Sequence, residues 1–202
     1  RIQLINRSDR RRRLTLLSYG EVVLSAQSGD RRHPAFNKLF IESEFNPTLN
    51  ALLFRRRPRS SDEAPIFFGY SLVVPIGQSA DGNFESDRRQ FLGRAGSSAA
   101  PLILQQEAAP RLSNRSGATL DPIFSLAQSV EMEPGATLEY ALISSAAANP
   151  EAVEEMLQRY HDWALVHHLF EQARSQNSVE LRQLELVSEE LGQIQHLLSL
   201  LL

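Results

Sequence analysis

The chain has 202 residues, 42% of them hydrophobic, enough for one core without covalent staples, and the absence of cysteine excludes disulfides and thiolate metal sites. Charge is divided unevenly: residues 1–100 carry 16 basic and 10 acidic side chains (+6), residues 101–202 carry 5 and 14 (−9), and the sum is −3. No apolar run approaches the ~20 residues of a spanning helix, which argues against direct membrane insertion by this segment.

Arginine supplies 20 of the 21 cations, and the runs "RSDRRRR" (7–13) and "RRRPR" (55–59) raise the question of nucleic-acid binding. Both runs are short, they sit at a terminus and a turn, and no aromatic ladder accompanies them. They read as solvated surface, with no nucleic-acid partner.

The first three quarters of the chain read as strands joined by turns. "RLTLLSYGEVVLS" (13–25) predicts a strand with a bulge or bend at Gly20. "KLFIESEFN" (38–46) and "ALLFRRRP" (51–58) predict a hairpin joined by "PTLN". "PIFFGYSLVVP" (65–75), bracketed by prolines and rich in aromatic and β-branched residues, predicts a buried strand. "FESDRRQFLGR" (84–94) reads as a charged loop pinned by Phe84 and Phe91. "IFSLAQSVEMEPG" (123–135) and "ATLEYALISSA" (136–146) predict two further strands across the turn dipeptide Pro134-Gly135. Many short strands with Gly, Pro, Asn and Asp turns predict a mainly β, antiparallel sandwich over residues 1–148.

At "ANPEAVEEML" the period changes. Asn149 can cap a helix, Pro150 fits its first turn, and Glu151, Glu154 and Glu155 suit its N-terminus. A second helix is predicted from Asp162, with Trp163, Val166, Phe170, Ala173, Asn177, Leu181 and Leu184 on one face. A third follows Ser188, with Leu191, Ile194, Leu197, Leu198 and Leu201 apolar. Residues 149–202 are thus a helical linker. The opening at Arg1 and the apolar ending "HLLSLLL" read as a piece of a longer chain whose last helix expects a partner.

Motifs that carry chemistry are sparse. His161, His167 and His168 lack metal-ligand spacing, since adjacent helical residues point about 100° apart, and they read as core or surface histidines. Ser97 and Ser98 have no nucleophile elbow around them, and no histidine lies between residues 34 and 160. Phosphate-loop and dinucleotide fingerprints are missing, and no cofactor or metal is expected. Glu42/Glu44 and Glu85/Asp87 each share a strand face at i, i+2, a pattern common on solvated strands.

Taken in order, "SYGEVVLS", "HPAFNKLFIESEF", "ALLFRRRPRSSDE", "FESDRRQFLGR" and "LDPIFSLAQSVEMEPG" resemble the N-terminal β-supersandwich region of glycoside hydrolase family 94. The likeness is strongest to its cyclic β-1,2-glucan synthase and β-1,2-oligoglucan phosphorylase branches, and it runs on through "VELRQLEL" and "EELGQIQHLLSLLL". The resemblance implies a galactose mutarotase-like supersandwich followed by linker helices. It also implies an (α/α)6 catalytic domain elsewhere in the same parent chain, so no catalytic residue is carried over. The implied partners are that domain, a second copy in a homodimer, and a β-glucan. The implied location is cytoplasmic for this segment, with the parent at the inner membrane through other segments.

A sugar site needs flat rings and bidentate polar groups. On that ground Glu42, Glu44, Phe45, Arg57 and Arg59 are the candidate sugar-binding residues, while Asp87, paired with Arg88 or Arg94, is expected to brace its loop. Two other readings stay open: an autonomous carbohydrate-binding module, and a mutarotase-like enzyme, against which the histidine-free stretch counts.

Overall fold

The computed structural model describes residues 1–60, 63–94, 96–105, 110–186 and 188–201. Among them the order is β1 (Ile2–Ile5), β2 (Arg12–Leu17), β3 (Gly20–Glu21), α1 (Gln27–Arg32), α2 (Pro34–Lys38), β4 (Ile41–Asn46), β5 (Ala51–Arg56), β6 (Ile66–Val73) and β7 (Asn83–Asp87). There follow α3 (Arg88–Leu92), a 3-10 turn (Leu102–Leu104), β8 (Gly117–Ala118), β9 (Pro122–Met132), β10 (Thr137–Ala147), α4 (Pro150–Arg159), α5 (Trp163–Gln183) and α6 (Ser188–Leu201).

The strands form two antiparallel sheets. The larger has the order β1-β10-β6-β5-β4-β8, and in the smaller one β9 pairs with β2, β3 and β7. Their inner faces meet in one core: Ile41, Leu52, Phe54, Tyr70, Leu72 and Tyr140 from the larger sheet against Phe84, Leu126, Val130 and Met132 from the smaller. The alternation of the strands supplies this directly, because every second residue of β4, β5 and β6 turns inward. The expected mainly β, antiparallel sandwich followed by helices is the observed fold.

Three details differ from the sequence reading. The strand expected over 13–25 breaks into β2 and β3, both paired to β9, and a Cβ at Gly20 would lie 2.1 Å from the Phe124 ring opposite. The expected loop at 84–94 is instead β7 running into α3. Helices α1 and α2, with the short β1, were not predicted; α1 buries no side chain and so leaves no apolar signature.

The hairpin of β4 and β5 forms with Pro47 to Asn50 as its turn. Asn46 Oδ1 accepts from the Thr48 and Leu49 N–H groups, and Asn50 takes a positive φ of 42°, which asparagine tolerates.

The chain makes two compact units, Arg1–His161 and Asp162–Leu202. The first unit thus runs past residue 148, where the helical linker was expected to begin, and takes in α4. The reason is packing: Val153 and Leu157 of α4 are 1% and 0% exposed and sit with Leu49, Ala51, Leu53, Phe67, Ile143 and Ala147 on the outer face of the larger sheet. Asn149 caps α4 as expected, accepting from the Ala152 N–H at 2.8 Å.

In the second unit Asp162 caps α5 by accepting from the Ala164 N–H at 2.8 Å. Of the apolar face expected on α5, Trp163, Val166 and Leu181 are buried, whereas Phe170 and Leu184 are exposed. On α6 Leu191 and Ile194 are half-buried and Leu197 and Leu198 exposed. The Leu201 side chain lies outside the described residues. No helix among the described residues is long and apolar enough to cross a membrane.

Candidate functional site

The register of the larger sheet sets out two rows of side chains on its outer face. Glu42, Arg55 and Phe67 are opposite one another across β4, β5 and β6, and Glu44, Leu53 and Gly69 form the next row. Gly69 is what lets α4 lie close on this face. A Cβ there would come within 2.6 Å of Val153 Cγ1 and 2.8 Å of Leu157 Cδ1.

Between the first turns of α4 and the outer face runs a groove of about 580 Å3, lined by Glu42, Glu44, Arg55, Phe67, Val153 and Glu154 among others. That size falls within the roughly 300–1,000 Å3 of small-molecule sites.

The polar groups of the groove are unevenly committed. Glu42 Oε2 accepts from Arg55 Nε at 2.9 Å and Nη2 at 2.7 Å, and its Oε1 lies 3.0 Å from Arg57 Nε. Both arginines are more than half exposed, so these pairs orient the carboxylate and add little stability. Glu154 Oε2 accepts from Asn46 Nδ2 at 3.3 Å. Glu44 is exposed and has no hydrogen-bond or ion-pair partner among the described residues.

Of the five candidate sugar-binding residues, the structure brings Glu42, Glu44 and Arg57 together and separates the other two. Phe45 turns to the opposite side of β4 and stacks on Phe84, with ring centroids 4.2 Å apart at 14°. It is a core ring, a consequence of strand alternation next to Glu44. Arg59 lies with Glu63 and the rings of Phe36 and Phe40. Arg55 and Phe67 were missed. Arg55 follows from alternation, since it shares a face with Arg57, and it directly opposes Glu42. Arg56, between them, turns inward, is 3% exposed, donates to Asn37 O at 3.0 Å and to Glu63 Oε1 at 3.1 Å.

Around β7 and α3 the charges are braces. The expected pairing of Asp87 with Arg88 or Arg94 does not form, because Asp87 caps α3, accepting from the Arg89 N–H at 2.9 Å. Arg88 reaches instead to Glu21 Oε1 at 3.1 Å and lies 3.6 Å from Asp121 Oδ2. Lys38 joins the same two acids, at 2.6 Å from Asp121 Oδ1 and 3.3 Å from Glu21 Oε2. Arg94 is exposed and enters no ion pair among the described residues.

Burial pushes the Glu21 carboxyl up, but hydrogen bonds from Tyr19 and Arg88 outweigh it and hold the group below its ordinary value. Burial likewise opposes the Lys38 charge, and Asp121 and Glu21 outweigh it, holding the ammonium above its ordinary value. Phe84 and Phe91 anchor this segment as expected, Phe91 stacking on Tyr19 with centroids 4.9 Å apart.

Glu85 carries a role that the sequence did not disclose. It is 2% exposed, and its Oε1 accepts from the Ser86 and Asp87 N–H groups at 3.0 Å each, while Oε2 accepts from the Ser113 N–H at 3.1 Å. Phe84 N–H donates to Asn114 Oδ1, and Ser86 Oγ donates to Arg115 O. β7 is thereby stitched to residues 112–115 by side chains.

Ser71 and His161 form a third polar group. Ser71 is fully buried and its Oγ donates to Leu49 O at 2.6 Å, so the His161 Nε2, 2.7 Å away, donates to Oγ. Burial holds His161 below its ordinary value, with the Leu49 carbonyl working the other way. With its proton committed to a carbonyl and no exposed surface, Ser71 is a strut between β6 and the end of α4. Among the described residues no group of three or more His, Asp or Glu side chains is arranged to hold a metal ion.

Cyclic beta-(1,2)-glucan synthase NdvB of Rhizobium meliloti (strain 1021) is 28% identical over 197 residues, which is 98% of this chain and 7% of that protein. The chain thus spans a small part of the relative's length. The model of the glycosyl hydrolase 94 supersandwich domain matches residues 1–163, which takes in both sheets, α4 and the groove. The chain belongs to the glycosyl hydrolase 94 supersandwich family.

Proposed function

We propose that this chain is a non-catalytic supersandwich module of a cyclic β-1,2-glucan synthase-like or glycoside phosphorylase-like enzyme, supporting an (α/α)6 catalytic domain of the same parent. The observation that carries this reading is the extent of the match: nearly the whole chain aligns with 7% of a glucan synthase. The polar chemistry agrees. The Glu21–Lys38–Arg88–Asp121 network, Glu85 and the Ser71–His161 pair all have their hydrogen-bonding groups turned on their own fold.

The helical unit gives the module a surface to present. Leu197, Leu198 and Leu200, close together on α6, are all more than half exposed, and an apolar cluster of this kind is a candidate interaction face. In the proposed role that face meets the catalytic domain.

Incubating the isolated chain with β-1,2-glucan oligosaccharides and inorganic phosphate tests the reading. No sugar phosphate and no shortened glucan are expected. Turnover by residues 1–202 alone would overturn it.

A further inference from the structure

We infer that the groove between α4 and the outer face of β4, β5 and β6 is a binding site for a neutral carbohydrate chain. This rests on the glucan-enzyme reading above and adds to it a site, its residues and its ligand class.

The groove offers the two kinds of surface that a sugar ring needs. Phe67 is half-buried on its floor and supplies an apolar patch for ring C–H groups, beside Val153 of α4. Around that patch stand groups that match hydroxyls. Glu44 has both carboxylate oxygens open, Glu154 has one oxygen left after Asn46, and the exposed Arg55 guanidinium keeps donors beyond those given to Glu42. A carboxylate accepts from two neighbouring hydroxyls at once, and such charge-assisted bonds are the stronger kind.

The balance of charge selects the ligand. Three carboxylates (Glu42, Glu44, Glu154) line the groove with Arg55, and Arg57 reaches Glu42 from its edge; the net of one negative charge, carried by the open Glu44 and Glu154, disfavours a phosphate or another anion. A neutral polyol brings many hydroxyl donors without that cost. The arginines at 55 and 57 neutralise Glu42 and fix its orientation, which leaves Glu44 as the free acceptor at the mouth. Gly69 belongs to the same device, because it seats the helix that forms the wall.

The test is a titration of the 15N-labelled chain with linear β-1,2-glucan oligosaccharides, followed by amide chemical shifts. Saturable shifts centred on Glu44, Arg55, Phe67 and Glu154 are expected. Glu44→Ala, at an exposed position without partners, should keep the spectrum of the fold and weaken binding about tenfold. Glu154→Gln should weaken it by a smaller factor.

Four results would overturn the site: shifts that centre elsewhere, no shifts at about 10 mM oligosaccharide, unchanged affinity in both variants, or a response to an oligo-arginine peptide without one to glucan. Each of these removes the groove site alone. The module reading fails separately, through turnover by the isolated chain.

Discussion

Around β7 and α3, carboxylates meet donors supplied by the fold itself: Glu85 takes three backbone N–H groups, Asp87 caps a helix, and Glu21 and Asp121 share Lys38 and Arg88. In the groove between β4 and α4, Glu42 is held by Arg55 and Arg57, but the two other acids are left open. Glu44 has no partner among the described residues, and Glu154 only one weak one at 3.3 Å. Residue type does not separate the two regions, since both are rich in Glu, Asp and Arg. The difference lies in whether donors of the fold, backbone N–H groups for Glu85 and Asp87 and the side chains of Lys38 and Arg88 for Glu21 and Asp121, reach each acid or leave it facing a groove.

If that contrast is right, substitutions should divide by region. The largest effect is expected at the groove wall. Leu157→Ala leaves a cavity under α4 and should cost about 2–5 kcal/mol in urea unfolding, with the groove lost as the helix loosens. A cost under about 1 kcal/mol would mean that α4 is not held by this cluster.

Glu85→Ala should follow, at about 3 kcal/mol, because it strands buried backbone donors. Hydrogen exchange should quicken at residues 112–115 while β10 and β6 keep their protection. Asp87→Ala removes one helix cap and should cost about 1 kcal/mol, read from the same unfolding curves. Glu44→Ala should be the smallest, within about 0.5 kcal/mol, because nothing in the fold depends on it. A large loss there would place Glu44 with the braces.

pH adds a further cut. His161 is held below its ordinary value by burial, so the unfolded chain takes up a proton first as pH falls. Its share of stability is complete above about pH 6.5 and is lost as pH falls from there through the folded value. Glu21, also held low, contributes above the ordinary carboxylate range, near pH 4.3, and that share is lost in more acid solution. Unfolding followed from pH 8 downward should therefore show a first decline that His161→Gln abolishes and a second that it leaves in place.

Much of the sandwich was legible from the sequence because strand alternation and turn residues are local. "IESEF" and "ALLFRR" show their pairing in their own pattern, and Asn149-Pro150 announces α4. The candidate site was only half legible. Alternation alone separates Phe45 from Glu44 and places Arg55 with Arg57, yet composition drew Phe45 in and left Arg55 out.

Other features depend on register between distant segments. That Glu42 meets Arg55 follows from the hairpin, but that Phe67 lies beside them follows only once β6 has docked on β5. Glu85 is the extreme case. Its donors at Ser86 and Asp87 are local, while the one at Ser113 comes from 28 residues away, through a segment with no periodicity to read. That α4 packs on the sandwich was not legible for a similar reason: a change of period marks where a helix begins, not which body it packs on.

The central claim, that this fold serves as one module of a larger glucan-acting enzyme, is tested most directly by the mass of the natural gene product. An immunoblot of cell extract against this segment should detect a protein far larger than 22.7 kDa. A product near 22.7 kDa, stable and without larger species, would contradict it.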